Sequence, residues 1–445
     1  MNVEEPEEWR DIKMEAEQEF RFEVNQKKIK LKVKEGFAEI FGTELALDVP
    51  YLFHNTKLSV FTWKGCILSM FGECEVDYIA GDTPMYTYLN THLALEGLRE
   101  RARFEKKNGP RVLILGGSDV GKTTLSRILL NYGVKMEKKM MFIDLDVNEG
   151  SVSLPGVLSA SSIQNPIDPE EGFGSTPLTT NISPLCYYYG YLDCLEKSTA
   201  YGVLMKKLSE VVEKKTSIDE ETRYAGYIIN TPSQFSENTG YDLLFQAVED
   251  FKVDALLIIG HERLYSDMKK KYNDFKEIHV VKIDKSGGVV QRDKKFRKQL
   301  QMDRIKEYFY GSPTENNRAE LNPYRNIIRF SDVNIRRIGD SAQAPTSALP
   351  LGIDRKSRET KMLKVIPGDI LLHSVLGITH LEKNAEQTLT NEEESQLILS
   401  SNLLGFFYVS EVDEAKQIIT VLSPNPLKLR NKYFLMGSLK WVETS

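Results

Sequence analysis

The chain has 445 residues, more than one core usually organises, and its 41% hydrophobic content is enough to fill two or three domains. A formal charge of −6 argues against coating nucleic acid by bulk electrostatics, so any RNA contact must be local. No run of 18 apolar residues occurs, and Met1–Glu8 is acidic where a secretory or mitochondrial signal would be basic, which predicts a soluble, intracellular protein without membrane contact.

The first domain is expected over residues 1–100. From Glu19 to about Ala80 the sequence alternates in short runs: Phe20, Phe22 and Val24; Lys28 to Lys34; Phe37 to Phe41; Leu58 to Trp63. Short strands with turn residues between them predict a small β-sandwich or barrel, with the lysines of 28–34 on a solvated face. Asp82-Thr83-Pro84 is a helix-start signal, and a linker helix should run to Lys107 before Asn108-Gly109-Pro110 stops it. The four cysteines, Cys66, Cys74, Cys186 and Cys194, lack zinc-ligand spacing and are too sparse for a disulfide framework; they read as reduced core thiols.

Residues 101–311 carry the chemistry. Val112 to Leu115 form a buried-strand run, Gly116-x-x-x-x-Gly121-Lys122-Thr123 follows, and Leu125, Ile128, Leu129 and Tyr132 then fall at helical spacing. A strand, a glycine-framed turn and a helix in that order make a phosphate cradle. Backbone N–H groups and the positive helix end converge on phosphate oxygens, Lys122 adds a point charge, and Thr123 offers a hydroxyl to Mg²⁺. Asp119, Val120, Gly121 and Thr124 complete the nucleotide-contacting set. Further strands are expected at Met140–Leu145, Tyr227–Asn230, Ala255–Ile259 and Val280–Ile283, separated by helical segments, giving an α/β fold with a parallel sheet covered on both faces. Ligands bind such sheets at the carboxyl ends of the strands.

Asp144-Leu145-Asp146 ends the second of these strands. Asp146 lies beyond the apolar run, where a carboxylate can orient Mg²⁺ or take a proton from an attacking hydroxyl; Asp144 is the alternative, aimed by alternation at the opposite face. After the last strand, Lys285-Ser286-Gly287-Gly288 forms a hinge, and a basic segment from Arg292 to Lys306 follows. It reads either as a lid, whose arginines would close over a transferring phosphoryl group, or as a solvated basic helix. Arg292 and Arg297, five residues apart, can both reach phosphate only if the segment bends. Residues 312–445 should form a third, mostly β domain, with a polar stretch at 312–322, a Ser/Pro-bearing loop at 341–357 and a hairpin pairing 405–409 with 418–422. No Asn-Lys-x-Asp guanine motif follows a sheet strand, which sets a GTPase aside.

Phe41-Gly42-Thr43-Glu44-Leu45, Phe61-Thr62-Trp63-Lys64-Gly65, Asp119-Val120-Gly121-Lys122, Gly150-Ser151-Val152-Ser153, Lys285-Ser286-Gly287-Gly288-Val289-Val290 and Glu307-Tyr308-Phe309-Tyr310-Gly311 together resemble the eukaryotic polynucleotide 5′-hydroxyl-kinase family, in particular its subunit of the pre-mRNA cleavage and polyadenylation machinery. The likeness runs nearly end to end. It implies ATP with Mg²⁺, a nuclear location, a scaffold partner within the cleavage complex, local contact with RNA and, in animals, a link to tRNA splicing. By motif position it implies that Glu19 and Lys57 touch the nucleotide from the N-terminal domain. Lys122 and Thr123 match the phosphate and Mg²⁺ residues, Asp146 the catalytic carboxylate, and Arg292 and Arg297 the lid arginines.

Two departures matter. Active RNA kinases of that family carry Thr-x-Gly-Trp, whose Trp stacks on the RNA end, where this chain has Thr231-Pro232-Ser233-Gln234. Base stacking on an aromatic is worth about 1–3 kcal/mol, so its loss weakens RNA binding roughly tenfold to a hundredfold. The kinases also have Asp-x-Gly-Gln where this chain has Asp146-Val147-Asn148-Glu149. Two functions stay open: an ATP-binding subunit of mRNA 3′-end processing whose nucleotide supports assembly, and an active RNA 5′-hydroxyl kinase.

Overall fold

A computed structural model describes residues 9–174, 184–311, 321–339, 360–382, 390–426 and 431–442. The expected polar stretch at 312–322 and the loop at 341–357 lie largely or wholly outside them, as does the acidic start of the chain. The described residues form three seven-stranded sheets in sequence order.

The first sheet comprises β1 (Arg10–Met14), β2 (Gln18–Gly36), β3 (Glu39–Ile40), β4 (Thr43–Glu44), β5 (Tyr51–Thr62), β6 (Cys66–Phe71) and β7 (Val76–Ala80). The two runs read as separate strands, at Phe20–Val24 and Lys28–Lys34, are one 19-residue strand whose register against β5 shifts between Val24 and Lys28. Such an irregularity bends a strand and sharpens its twist, letting β2 pair with β7 in its first half and β6 in its second. The expected strand at Phe37–Phe41 shrinks to Glu39–Ile40. Ile29, Leu31 and Val33 are fully buried while the alternating lysines face outward, as period two requires.

Helix α1 (Met85–Glu105) starts after Pro84 and stops at Lys106, which adopts the left-handed conformation. It begins without a side-chain cap on Pro84; the Thr83 hydroxyl accepts from the Met85 N–H at 3.3 Å instead.

The central sheet is built from β8 (Arg111–Leu115), β9 (Met140–Asp144), β10 (Val157–Ile163), β11 (Leu185–Tyr188), β12 (Tyr227–Asn230), β13 (Ala255–Ile259) and β14 (His279–Ile283), in the order β11-β10-β9-β12-β8-β13-β14. All five predicted strands are present and mutually parallel. The second ends at Asp144 rather than Leu145. Two antiparallel strands, β10 and β11, extend the sheet beyond β9 and were not expected. Helices α2 (Lys122–Lys135), α3 (Ser198–Ile218), α4 (Glu220–Ala225), α5 (Tyr241–Asp250) and α6 (Glu262–Lys271) accompany it, and α7 (Lys294–Tyr310) leaves it. Leu125, Ile128, Leu129 and Tyr132 of α2 are all buried, confirming the face read from their spacing.

The third sheet is mostly antiparallel and runs from β15 (Tyr324–Arg329) to β21 (Lys432–Lys440), with one parallel pair between β21 and β16 (Asn334–Ile338). The expected hairpin is the pair β19 (Leu403–Asp413) and β20 (Ile418–Ser423). Helix α8 (Asn391–Leu399) opens with a capping box between Thr390 and Glu393. Among the described residues no helix is long and apolar enough to cross a membrane, and all four cysteines are free, three of them buried.

Candidate nucleotide site

The turn after β8 has the geometry that an anion cradle needs. Gly116 (φ +153°) and Gly121 (φ +94°) lie where side chains are strained, and a Cβ on Gly116 would stand 2.7 Å from Val120 Cγ2 and 3.0 Å from the Ile259 carbonyl. Asp119 accepts φ +52°, a conformation Asp tolerates better than most residues. The turn delivers the first residues of α2, so Lys122, Thr123 and Thr124 begin a helix whose positive end faces the cleft. Lys122 is buried and its ammonium donates to the carbonyls of Gly116 (3.0 Å) and Gly117 (2.7 Å). Burial holds its pKa below the usual lysine value despite the charges of Asp146, Glu149 and Asp119. A desolvated ammonium with only carbonyl partners is what a phosphate would relieve.

Asp146 lines the same cleft, just past β9. Its Oδ1 accepts from the Asn148 N–H at 3.0 Å, and burial together with the charges of Glu149 and Asp144 pushes its pKa up to about 7. Asp144 has another task. It is buried beneath the turn, accepting from the N–H groups of Asp146 (3.1 Å) and Ser151 (3.2 Å) and from Asn230 Nδ2 (3.0 Å), so it shapes the loop that presents Asp146. Burial raises its pKa to about 6.

The basic segment packs back onto the phosphate-binding turn, where the lid reading would put it. Asp293 caps α7, its side chain accepting from the Phe296 N–H at 2.7 Å, and the chain bends there. Arg292 before the bend and Arg297 in the first turn therefore reach the same carboxylate, Asp119, despite their five-residue spacing. Arg297 Nε also donates to the Arg292 carbonyl at 3.1 Å. Glu149 accepts from Arg292 Nη2 and lies 3.7 Å from Arg297 Nη1. Gln301 holds the middle of α7 to the Asn148 carbonyl (2.9 Å) and Oδ1 (2.8 Å), and Asn55 of the N-terminal domain donates to Asp303.

The N-terminal domain closes the other wall. Glu19 is buried, its carboxylate accepting from Arg21 Nε at 2.8 Å and from the Thr83 hydroxyl. Lys57 pairs with Glu23 at 2.8 Å, and its ammonium sits 5.3 Å from the Phe296 ring of the lid. The whole cleft measures about 960 Å³ and is lined by Glu19, Lys57, Asp119, Lys122, Asp146 and Arg292, among others. It thus brings together the residues expected to bind nucleotide and those expected to act on it.

Two further residues escaped the sequence reading. Arg21 shares a strand face with Glu19 and donates to the Asp82 carbonyl at 2.6 Å beside the Gly287-Gly288 hinge. Arg127, one helical turn past Thr123, lies 5.1 Å from the Phe41 ring and also lines the cleft. Period two from Glu19 and period four from Thr123 were the signals available.

After an extended Pro232, the chain turns as a short 3₁₀ segment, Ser233–Ser236. The Thr231 hydroxyl donates to the Ile114 carbonyl at 2.6 Å, the Ser118 hydroxyl to Ser233 Oγ at 3.0 Å, and Gln234 Nε2 to Asp193 at 3.2 Å. The nearby aromatic, Phe235, is fully buried against Tyr201, away from the cleft. No cluster of three His, Cys, Asp or Glu side chains able to hold a metal occurs among the described residues. Mg²⁺ does not need one. It keeps waters and phosphate oxygens, so the Thr123 hydroxyl and the Asp146 carboxylate, which line the same cleft, fit it beside a phosphate chain.

Comparison with known proteins agrees along the chain. Residues 13–102 match the family described as the N-terminal beta-sandwich domain of polyadenylation factor, residues 116–311 the mRNA cleavage and polyadenylation factor CLP1 P-loop, and residues 321–443 the pre-mRNA cleavage complex II protein Clp1. The Protein CLP1 homolog of Arabidopsis thaliana is 40% identical over 98% of this chain and 95% of its own length; the human polyribonucleotide 5′-hydroxyl-kinase Clp1 is 36% identical over 97% and 96%. A solved structure of wild-type Clp1p in complex with a segment of Pcf11p superposes with a TM-score of 0.84 at 27% identity, covering 98% of this chain and 99% of that one. This chain belongs to the Clp1 family, with a role in mRNA cleavage and polyadenylation and a kinase-like P-loop domain.

Proposed function

We propose that the protein is an ATP-binding subunit of the pre-mRNA 3′-end cleavage and polyadenylation machinery, acting in the nucleus, with bound ATP supporting assembly of the complex. The observation that carries this reading is the convergence of Lys122, Asp119, Arg292 and Arg297 on one cleft, closed by Glu19 and Lys57 from the N-terminal domain. Gly121, Thr123 and Thr124 would hold the phosphates by backbone and hydroxyl groups, Val120 would shape the turn, and Thr123 would ligate Mg²⁺, which supplies charge neutralisation of the phosphate chain when bound. Clp1p has been solved with Pcf11p, and by that likeness the partner is a scaffold subunit docking on the central and C-terminal domains. The labour divides among residues 1–100, 101–311 and 312–445.

A second reading rests on Asp146. A half-buried carboxylate with a pKa raised to about 7 is poised as a general base near neutral pH, with the Lys122 charge acting on it and Arg292 and Arg297 lining the same cleft. In this reading Asp146 accepts the proton of an RNA 5′-hydroxyl, Lys122 braces the β and γ phosphates, and Arg292 and Arg297 match the charge of the transition state. Incubation with γ-labelled ATP and a 5′-hydroxyl RNA separates the two. Intact ATP recovered from purified protein, with no transfer, supports the first reading; labelled RNA that Asp146→Asn abolishes replaces it with the second.

A further inference from the structure

Both lid guanidiniums are paired with carboxylates, and the two carboxylates differ in kind. Asp119 belongs to the phosphate-binding turn itself and also accepts from the Arg292 backbone N–H at 3.1 Å, so it fixes the course of the main chain into the lid. Glu149 comes from the turn after β9 and meets only the heads of the two arginines, accepting from Arg292 Nη2 with Arg297 Nη1 at 3.7 Å. It is 24% exposed in the cleft, and its charge also bears on Asp146 and Lys122. Its negative charge therefore sits among the cations that a terminal phosphoryl group would need.

We infer that Glu149 is an internal substitute for the γ-phosphoryl charge: it pairs with Arg292 and Arg297 in competition with the γ-phosphate and so uncouples nucleotide retention from phosphoryl transfer. This rests on the nucleotide-site reading above. In transfer, the acceptor 5′-oxygen bonds to the γ-phosphorus as the bond from that phosphorus to the β–γ bridging oxygen breaks, ADP leaves with the electron pair, and the hydroxyl proton passes to Asp146. Arginines accelerate this step only by gaining interaction as charge spreads over the γ oxygens. Arginines that must exchange one anion for another gain less. The same competition makes the third phosphate add little to affinity, so ATP and ADP should bind comparably.

Glu149→Gln keeps the shape and removes the charge. In the full-length protein, titration calorimetry with ATP and with ADP should show the preference for ATP rising about tenfold over the unsubstituted chain, and γ-phosphate transfer to a 5′-hydroxyl oligoribonucleotide should rise at least tenfold. Glu149→Ala should shift both quantities in the same direction, which keeps the test valid if one variant folds poorly. An unchanged ATP-to-ADP ratio in both variants, or a raised ratio without a gain in transfer, overturns the inference. Lys122→Ala should abolish uptake of both nucleotides; normal uptake by that variant instead refutes the nucleotide-site reading itself.

Discussion

Arg292 grips Asp119 twice, its backbone N–H donating to one carboxylate oxygen at 3.1 Å and its Nε to the other at 2.8 Å. One side chain of the phosphate-binding turn thereby fixes both the path of the chain into the lid and the direction of a guanidinium. Burial works against the Asp119 charge, but the bonds and charge of Arg292, with the charge of Arg297, outweigh it and hold the carboxyl below its usual 3.8. The carboxylate's contribution is therefore complete above that value and is lost as pH falls through the depressed folded value. Asp119→Asn, which still tolerates positive φ, should cost about 1–2 kcal/mol at pH 7 by urea denaturation and should flatten the acid limb of the stability profile below about pH 4.

The sign is opposite for Asp146. Its folded pKa of about 7 lies above the unfolded value of 3.8, so the native state binds more protons between these values and loses stability as pH rises through them. Asp146→Asn preserves the Oδ1 acceptor for Asn148. It should stabilise the nucleotide-free protein at pH 8 by on the order of 1 kcal/mol, discounted for partial exposure, and this gain should shrink toward pH 5. Thermal melts at the two pH values check it; equal shifts would contradict the account.

How much of this was legible follows from how local each signal is. The strand, turn and helix at 111–135 read directly, because an apolar run, two glycines and a period near four lie within one short segment. The convergence of Arg292 and Arg297 needed one fact beyond spacing, the bend at Asp293. Strand β10 stayed hidden because Ser159 and Ser161 break its apolar run, although both are buried. The union of two runs into β2 depends on an irregularity opposite β5, set by pairing across the sheet rather than by residues 24–28 alone. The part Asp144 plays in shaping the Asp146 turn was hidden, because it rests on Ser151 and Asn230, the latter 86 positions away. Glu19 and Lys57 had no local signal and came from family likeness alone.

The N-terminal domain docks through contacts that involve no nucleotide. Tyr132 of α2 donates to the buried Glu39, Asn131 Nδ2 to the Phe41 carbonyl at 2.8 Å, and the Thr43 hydroxyl to the Ile167 carbonyl at 2.7 Å. Tyr132→Phe leaves Glu39 with Lys135 at 3.4 Å and should cost about 1–3 kcal/mol. ATP affinity should change less than threefold, measured by titration on the same samples.

The far end of the lid is anchored in the C-terminal domain. The Tyr308 hydroxyl accepts from the Phe406 N–H at 3.0 Å, and Phe309 stacks on Trp441 with ring centroids 6.0 Å apart. At ~1.5 Å per residue, α7 carries that anchor about 17 Å from Arg297. Trp441→Ala should destabilise by about 3–5 kcal/mol, and Tyr308→Phe by about 1 kcal/mol. Both should speed ATP release in a fluorescent-nucleotide chase, although neither residue lines the cleft.

The central claim is that the turn between Gly116 and Thr123 holds the phosphates of an adenine nucleotide while the flanking domain and lid enclose it. Titration calorimetry on nucleotide-stripped protein with ATP and Mg²⁺ tests it most directly. The account predicts saturable uptake at one site per chain, abolished by Lys122→Ala in a variant that still melts cooperatively; uptake that survives this substitution, or none in the unsubstituted chain, contradicts it.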